Sequence, residues 1–316
     1  VAPTCSPVTV AALAAVAVTS TAMAQVTMSG EAGFAYVSDK VASVKTSGMA
    51  QTDGSITIAA TDDLGGGMKL SAAHTVDLKG RSAVTAENST MAISSAFGTV
   101  LLGAINAGNG ILGIGGAGGV GRGMDNGVLL DGDTKVDLFQ YTTPALMTGL
   151  TAFVNSADVG VTGAGDGAFQ AVGMGVKYSA GPLSAAFDNT TYSGHAAAAS
   201  AAVLATQIDS RSRLSFSYDL GMAKVGYGTQ TKQYAGTGKD NKQTVMGVSA
   251  PFGAFTVSLN RSTNKTDGSA TKTTGTDLGI NYALSKRTAV NFSSMKSKTT
   301  GAVSDTYTRL RLKTTF

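Results

Sequence analysis

Arg309, Arg311 and Lys313 stand two residues apart in the closing run of the chain, and Arg211 and Arg213 repeat the spacing earlier. Arginine stays charged at any physiological pH, so such a row does no proton transfer. It acts as fixed positive charge, able to attract anions or to bias the passage of ions along a wall. Residues for other chemistries are sparse. His74 and His195 are the only histidines, and neither has a cysteine or histidine partner at ligand spacing, which argues against a transition-metal site. Gly113-Ile114-Gly115-Gly116-Ala117-Gly118 fits a dinucleotide-loop pattern. Chance matches are expected in so glycine-rich a stretch, and no amphipathic helix follows it. A nucleophile elbow and a Walker loop are missing as well. The expectation is no enzyme, no catalytic residue, no metal and no cofactor.

The elements carrying the cations read as strands. In 305–316, Thr308, Leu310, Leu312, Thr314 and Phe316 share one face, and Tyr307, Arg309, Arg311, Lys313 and Thr315 share the other. In 209–220, Leu214, Phe216, Tyr218 and Leu220 oppose Arg211, Arg213, Ser215, Ser217 and Asp219. Near the start, Met28, Phe34 and Tyr36 oppose Thr27, Ser29 and Glu31. A soluble antiparallel sheet shows the same one-face polarity. Aromatics at strand ends (Tyr36, Tyr141, Tyr178, Tyr192, Tyr218, Tyr282) fit an interfacial girdle instead. His74 shares parity with Leu70 and Val76, which places it at a subunit contact or near the interface, or signals a different register there.

Composition agrees. Glycine is abundant, with 41 residues against 5 prolines, aromatics make up 6% and tryptophan is absent. That profile argues against collagen, disulfide scaffolds and most helical enzymes. Mean hydropathy is +0.12, yet beyond Ala24 no apolar run approaches the roughly 18 residues of a spanning helix. Only helices and closed barrels satisfy their backbones in lipid, which leaves strands. The net charge of +4 forms no nucleic-acid-binding stripe.

Residues 1–24 hold no charged side chain and end Thr21-Ala22-Met23-Ala24 after an apolar, alanine-rich run. This reads as a secretory signal peptide cleaved before Gln25, although it lacks a cationic n-region and contains Pro3 and Pro7. Cys5 precedes the apolar run, so it makes no lipoprotein signal, and the cleaved chain would have no cysteine. Residues 25–316 then form one domain of about 16 strands. Its connections alternate between tight turns such as Leu64-Gly65-Gly66-Gly67 and Phe97-Gly98 and longer stretches at 38–54, 79–87, 107–135, 156–167, 193–208, 234–242, 265–275 and 299–304. Short turns at one end and long loops at the other are what an outer-membrane barrel requires.

Gln25-Val26-Thr27-Met28-Ser29-Gly30, Asp62-Asp63-Leu64-Gly65-Gly66-Gly67-Met68-Lys69, Ser95-Ala96-Phe97-Gly98-Thr99-Val100-Leu101-Leu102-Gly103, Gln140-Tyr141-Thr142-Thr143-Pro144 and the terminal Phe316 occur in an order and spacing that resembles the Gram-negative trimeric general porins. The resemblance implies an all-β, closed antiparallel transmembrane barrel in the bacterial outer membrane. It also implies a homotrimer amid lipid and lipopolysaccharide, passing small hydrophilic solutes and ions. By the same resemblance 107–135 is a constriction loop folded into the lumen, with charges Arg122, Asp125, Asp131, Asp133 and Lys135. Its acids would face basic residues drawn from Arg211, Arg213, Arg309, Arg311 and Lys313, with Glu31 and Asp219 also lumen-facing. The loop is richer in glycine and poorer in acids than the family pattern. More lumen cations than anions points to mild anion selectivity. The alternatives are a substrate-specific channel, which needs an aromatic slide, and a glycine-rich β-solenoid adhesin, which needs a fixed short repeat.

Overall fold

The computed structural model describes residues 25–79, 83–107, 134–159, 170–194, 208–236 and 239–316. Sixteen strands follow one another: β1 (Gln25–Val41), β2 (Val44–Gly65), β3 (Met68–Asp77), β4 (Thr85–Ser95), β5 (Gly98–Ala107), β6 (Thr134–Thr142), β7 (Leu150–Val159) and β8 (Gln170–Ala180). The second half comprises β9 (Leu183–Ser193), β10 (Ile208–Asp219), β11 (Lys224–Tyr234), β12 (Asp240–Phe252), β13 (Phe255–Thr266), β14 (Lys272–Ala283), β15 (Thr288–Thr299) and β16 (Asp305–Thr315). Each strand pairs antiparallel with its sequence neighbour, and β16 closes on β1. Closure leaves no free sheet edge. Among the described residues no helix is long and apolar enough to cross a membrane.

Polarity is turned inside out. Gln230 and Gln243 are fully buried and Asp277 is 1% exposed, whereas Leu259 is 50% and Phe187 46% exposed. A soluble protein does the reverse. The alternation that puts Ser215 and Ser217 inside on β10 puts Leu214, Phe216 and Tyr218 outside. The exposed apolar band continues through Leu278 and Tyr282 on β14 and Leu310 and Leu312 on β16.

Phe316 extends the pairing of β16 with β1. Gly30 and Phe316 exchange two backbone hydrogen bonds, of 2.9 and 3.0 Å. The Phe316 ring lies where a side chain on residue 30 would project, so glycine alone fits there.

Several expectations need correction. Residues 38–54 are no long loop: β1 and β2 run on as one extended hairpin that turns at 42–43. Ala42 and Ser43 have positive φ, of 47° and 75°, the backbone of a tight two-residue turn. Residues 38–48 stand beyond the apolar band, where polar composition imitates a loop, whereas Met49 pairs with Tyr36 at the level of the band. Tyr192 is no girdle residue either: it is 8% exposed and faces inward. His74 faces outward, and its Nδ1 lies 2.9 Å from Ser89 Oγ.

Candidate functional site: the charged lumen wall

Two clusters of charge line the inward face of the barrel. The first joins β16, β1 and β2. Arg311 donates to both carboxylate oxygens of Asp53, at 2.9 and 3.0 Å, and through Nε to Asn291 at 3.0 Å. Lys313 reaches Asp53 at 3.1 Å and Glu31 at 2.6 Å. A register shift at Gly33/Phe34 positions this network. It inserts one extra residue into β2 and sets Asp53 opposite Gly33, a use of bulges common beside functional sites. A Cβ on Gly33 would overlap the Asp53 carboxylate and displace it.

The second cluster spans β9 to β12. Arg213 donates through Nε to Asp188 at 2.8 and 3.0 Å. Arg211 lies over the Tyr192 ring, 5.8 Å from its centroid, and stands directly opposite Lys232. Beside them runs an amide ladder: Gln230 donates to Gln243 at 3.3 Å, Gln243 to Asn241 at 3.0 Å, and Asn241 to Asn264 at 2.7 Å. In a ring of sixteen strands, β9 is the furthest from β1 in either direction, so the two clusters face each other across the lumen.

Of the residues singled out in the sequence, Arg211, Arg213, Arg309, Arg311, Lys313 and Glu31 all lie on the inward face. Arg309 is 7% exposed and stands opposite Ser293. Asp219 lies at the short-turn end, where its carboxylate accepts from the Gly221 backbone N–H at 2.8 Å, away from both clusters. Lys135 differs from expectation: it is a β6 residue on the outward face, exposed, while its neighbour Val136 points in. Strand β6 starts before it, so Lys135 takes no part in a constriction. Arg122, Asp125, Asp131 and Asp133 lie outside the described residues. Sequence reasoning missed Asp53, Asp188, Lys232 and Asp277. Lys232 was readable, since Gly226, Gly228, Gln230 and Lys232 alternate with Val225 and Tyr227 on β11.

Such a wall supplies fixed charge. Hydrogen-bonded carboxylates hold the cations in fixed positions, and side chains held in place by ion pairs present a permanent field to ions in an aqueous passage.

A sequence profile described as Gram-negative porin matches residues 9–302. No curated protein matches the chain. Among solved structures, an anion-selective porin from Comamonas acidovorans superposes with a TM-score of 0.70 at 21% identity, over 93% of this chain and 100% of that one. OmpT of Vibrio cholerae, in a trimer form, gives a TM-score of 0.69 at 11% identity, over 93% and 99%. A triple mutant of the Rhodopseudomonas blastica porin gives 0.66 at 16%, over 93% and 100%. With a closed sixteen-strand barrel, an apolar outer band and a charged inner wall, the chain belongs to the Gram-negative porins and forms a diffusion channel of the bacterial outer membrane.

Proposed function

We propose that this porin is a homotrimer of general diffusion channels with a mild preference for anions. The observation that carries the preference is the charge of the two facing clusters. Arg211, Arg213, Lys232, Arg311 and Lys313 there outnumber Glu31, Asp53 and Asp188. The anion selectivity stated for the Comamonas porin supports the same reading, and the trimer form of the Vibrio protein supports the assembly. In this proposal residues 1–24 direct secretion, and 107–133 with Arg122, Asp125, Asp131 and Asp133 narrows the passage. Lipid and lipopolysaccharide surround the trimer.

Mechanistically, solutes cross down their gradients through water and the protein supplies no energy. A low-dielectric wall focuses the field of the lumen charges into the passage. Screening over about 8 Å at physiological salt limits the effect to charges close to the path. Anions are enriched and cations depleted beside the Arg211–Lys232 row, which sets the preference. Reversal potential under a salt gradient tests this: a potential of the sign for anions is expected, and one of the sign for cations overturns the charge reading. Unheated gel migration tests the assembly, a trimer-sized band being expected and a monomer-sized band contradicting it.

A further inference from the structure

Inside the barrel, one aromatic ring has no packing role in the wall that holds it. Among the described strands Phe153 of β7 is the one phenylalanine turned toward the lumen; Phe139, Phe187, Phe216 and Phe255 are all exposed on the lipid face. Val154, next in sequence, is exposed on that outer face, which fixes the parity of Phe153. Phe153 stands directly opposite Thr142 on β6 and Gly175 on β8, and Thr151 and Asn155 flank it on the same face of β7. None of these four is a large apolar residue, so the ring joins no apolar cluster there. A side chain on residue 175 would come within 2.7 Å of the ring, so Phe153 fills the space that the glycine leaves.

One cation attends the ring. Lys177, two residues along β8 from Gly175 and on the same inward face, brings its Nζ to 5.3 Å from the Phe153 centroid. Lys177 is exposed, and among the described residues no carboxylate pairs with it. Lys232 and Arg309 differ, being 3% and 7% exposed. A buried cation acts on a passing solute through its field, whereas Lys177 is open to direct contact. The carboxylate on the adjoining strand, Asp188 opposite Gly175, is already held by Arg213 at 2.8 and 3.0 Å. Phe153 and Lys177 both stand near the strand ends that meet the tight turns, just inside that mouth of the channel.

We propose that Phe153 and Lys177 form a weak lumen site for aromatic carboxylates. The ring of the solute stacks offset on Phe153, and its carboxylate accepts a charge-assisted hydrogen bond from the Lys177 ammonium. The cation–π attraction that draws the ammonium to the ring is weak at an exposed site, and a carboxylate offers it a full charge instead. Aliphatic carboxylates keep the ion pair and lose the stacking. Neutral aromatics keep the stacking and lose the charge. The site rests on the anion preference proposed above and names the class of solute that gains from it.

The test uses the full folded barrel in planar bilayers, with chloride carrying the current and sodium benzoate, sodium acetate or benzyl alcohol added. Wild type is expected to be half-blocked by benzoate at a concentration about fivefold below that of acetate, as one aromatic stack supplies, and to be blocked least by benzyl alcohol. Phe153→Leu should bring benzoate to the level of acetate. Lys177→Gln should weaken the benzoate block severalfold, and Lys177→Arg should restore it. The control Lys69→Gln, a lumen-facing lysine on β3 opposite Asp63, should leave the ratio of benzoate to acetate unchanged. If Phe153→Leu gives no folded barrel, Lys177→Gln, at an exposed position, carries the test. Equal block of wild type by benzoate and acetate, or a ratio that survives in the variants, overturns the proposal. The reversal potential of the same channels in a chloride gradient reports the anion preference separately. An anion-signed potential with equal block sinks the site alone, and a cation-signed potential with benzoate still favoured sinks the preference alone.

Discussion

Replacing Asp53 by asparagine removes one negative charge from the lumen wall while leaving Arg311 and Lys313 in place. The side chains are nearly isosteric, and Arg311 retains its 3.0 Å bond to Asn291, so the guanidinium stays positioned. Arg311→Gln does the opposite, leaving Asp53 with Lys313. A unit charge about 5 Å from a permeating ion acts with about 0.8 kcal/mol in water. Screening with a length of about 10 Å at 0.1 M trims that to about 0.5 kcal/mol, roughly a twofold change in local ion concentration. Anions and cations respond oppositely, so the permeability ratio moves by about two- to fivefold. Asp53→Asn should raise the anion-to-cation ratio by that factor, Arg311→Gln should lower it, and the double variant should return near wild type. Reversal potentials in planar bilayers at a fixed salt gradient read all three, and the shift should shrink at 1 M salt, where the screening length falls to about 3 Å. Unchanged potentials in both single variants, in channels that still conduct, would refute the placement of this cluster on the path.

Further expectations concern the barrel itself. Gly30→Val forces a side chain into the Phe316 ring; overpacking of this kind costs about 1–3 kcal/mol and should lower the urea midpoint of unfolding in detergent or lipid. Leu278→Arg puts a cation on the lipid face at a cost of about 2–4 kcal/mol near the midplane, whereas Gly279→Ser, one residue on and facing the lumen, should be far milder in the same titration. Ala42→Asn/Ser43→Gly suits the positive φ at both turn positions and should slow amide exchange at the hairpin tip, with a gain of about 1 kcal/mol or more. Gly33→Ala should displace Asp53 and shift the reversal potential in the same direction as Asp53→Asn, since the carboxylate moves off its cations.

Strand alternation was legible because lipid on one face and water on the other impose a period of two across the apolar band on β13, β14 and β16. That same rule located Arg211, Arg213, Arg309, Arg311 and Lys313 on the inner face. It failed where the physics changes. Beyond the apolar band no lipid demands an apolar face, so the tip of the β1–β2 hairpin looks like a loop, and the expected loop extends past Asp53. The bulge at Gly33/Phe34 then breaks the parity that would have recovered it. Tyr192 shows the limit of composition: an aromatic at a strand end suits a girdle, but its parity with Thr190 turns it inward against Arg211. Lys135 fell to boundary error, a shift of β6 by two residues moving it from loop to strand. Carboxylate partners such as Asp188 depend on cross-strand register, which one strand's sequence does not contain.

A barrel with polar groups inside and apolar groups outside encloses a water-filled passage. Single-channel conductance of the refolded protein in a planar bilayer, measured over a range of electrolyte concentrations, tests it most directly. Discrete steps whose size rises in proportion to bulk conductivity are predicted. Folded, membrane-inserted protein that gives no steps would contradict the account.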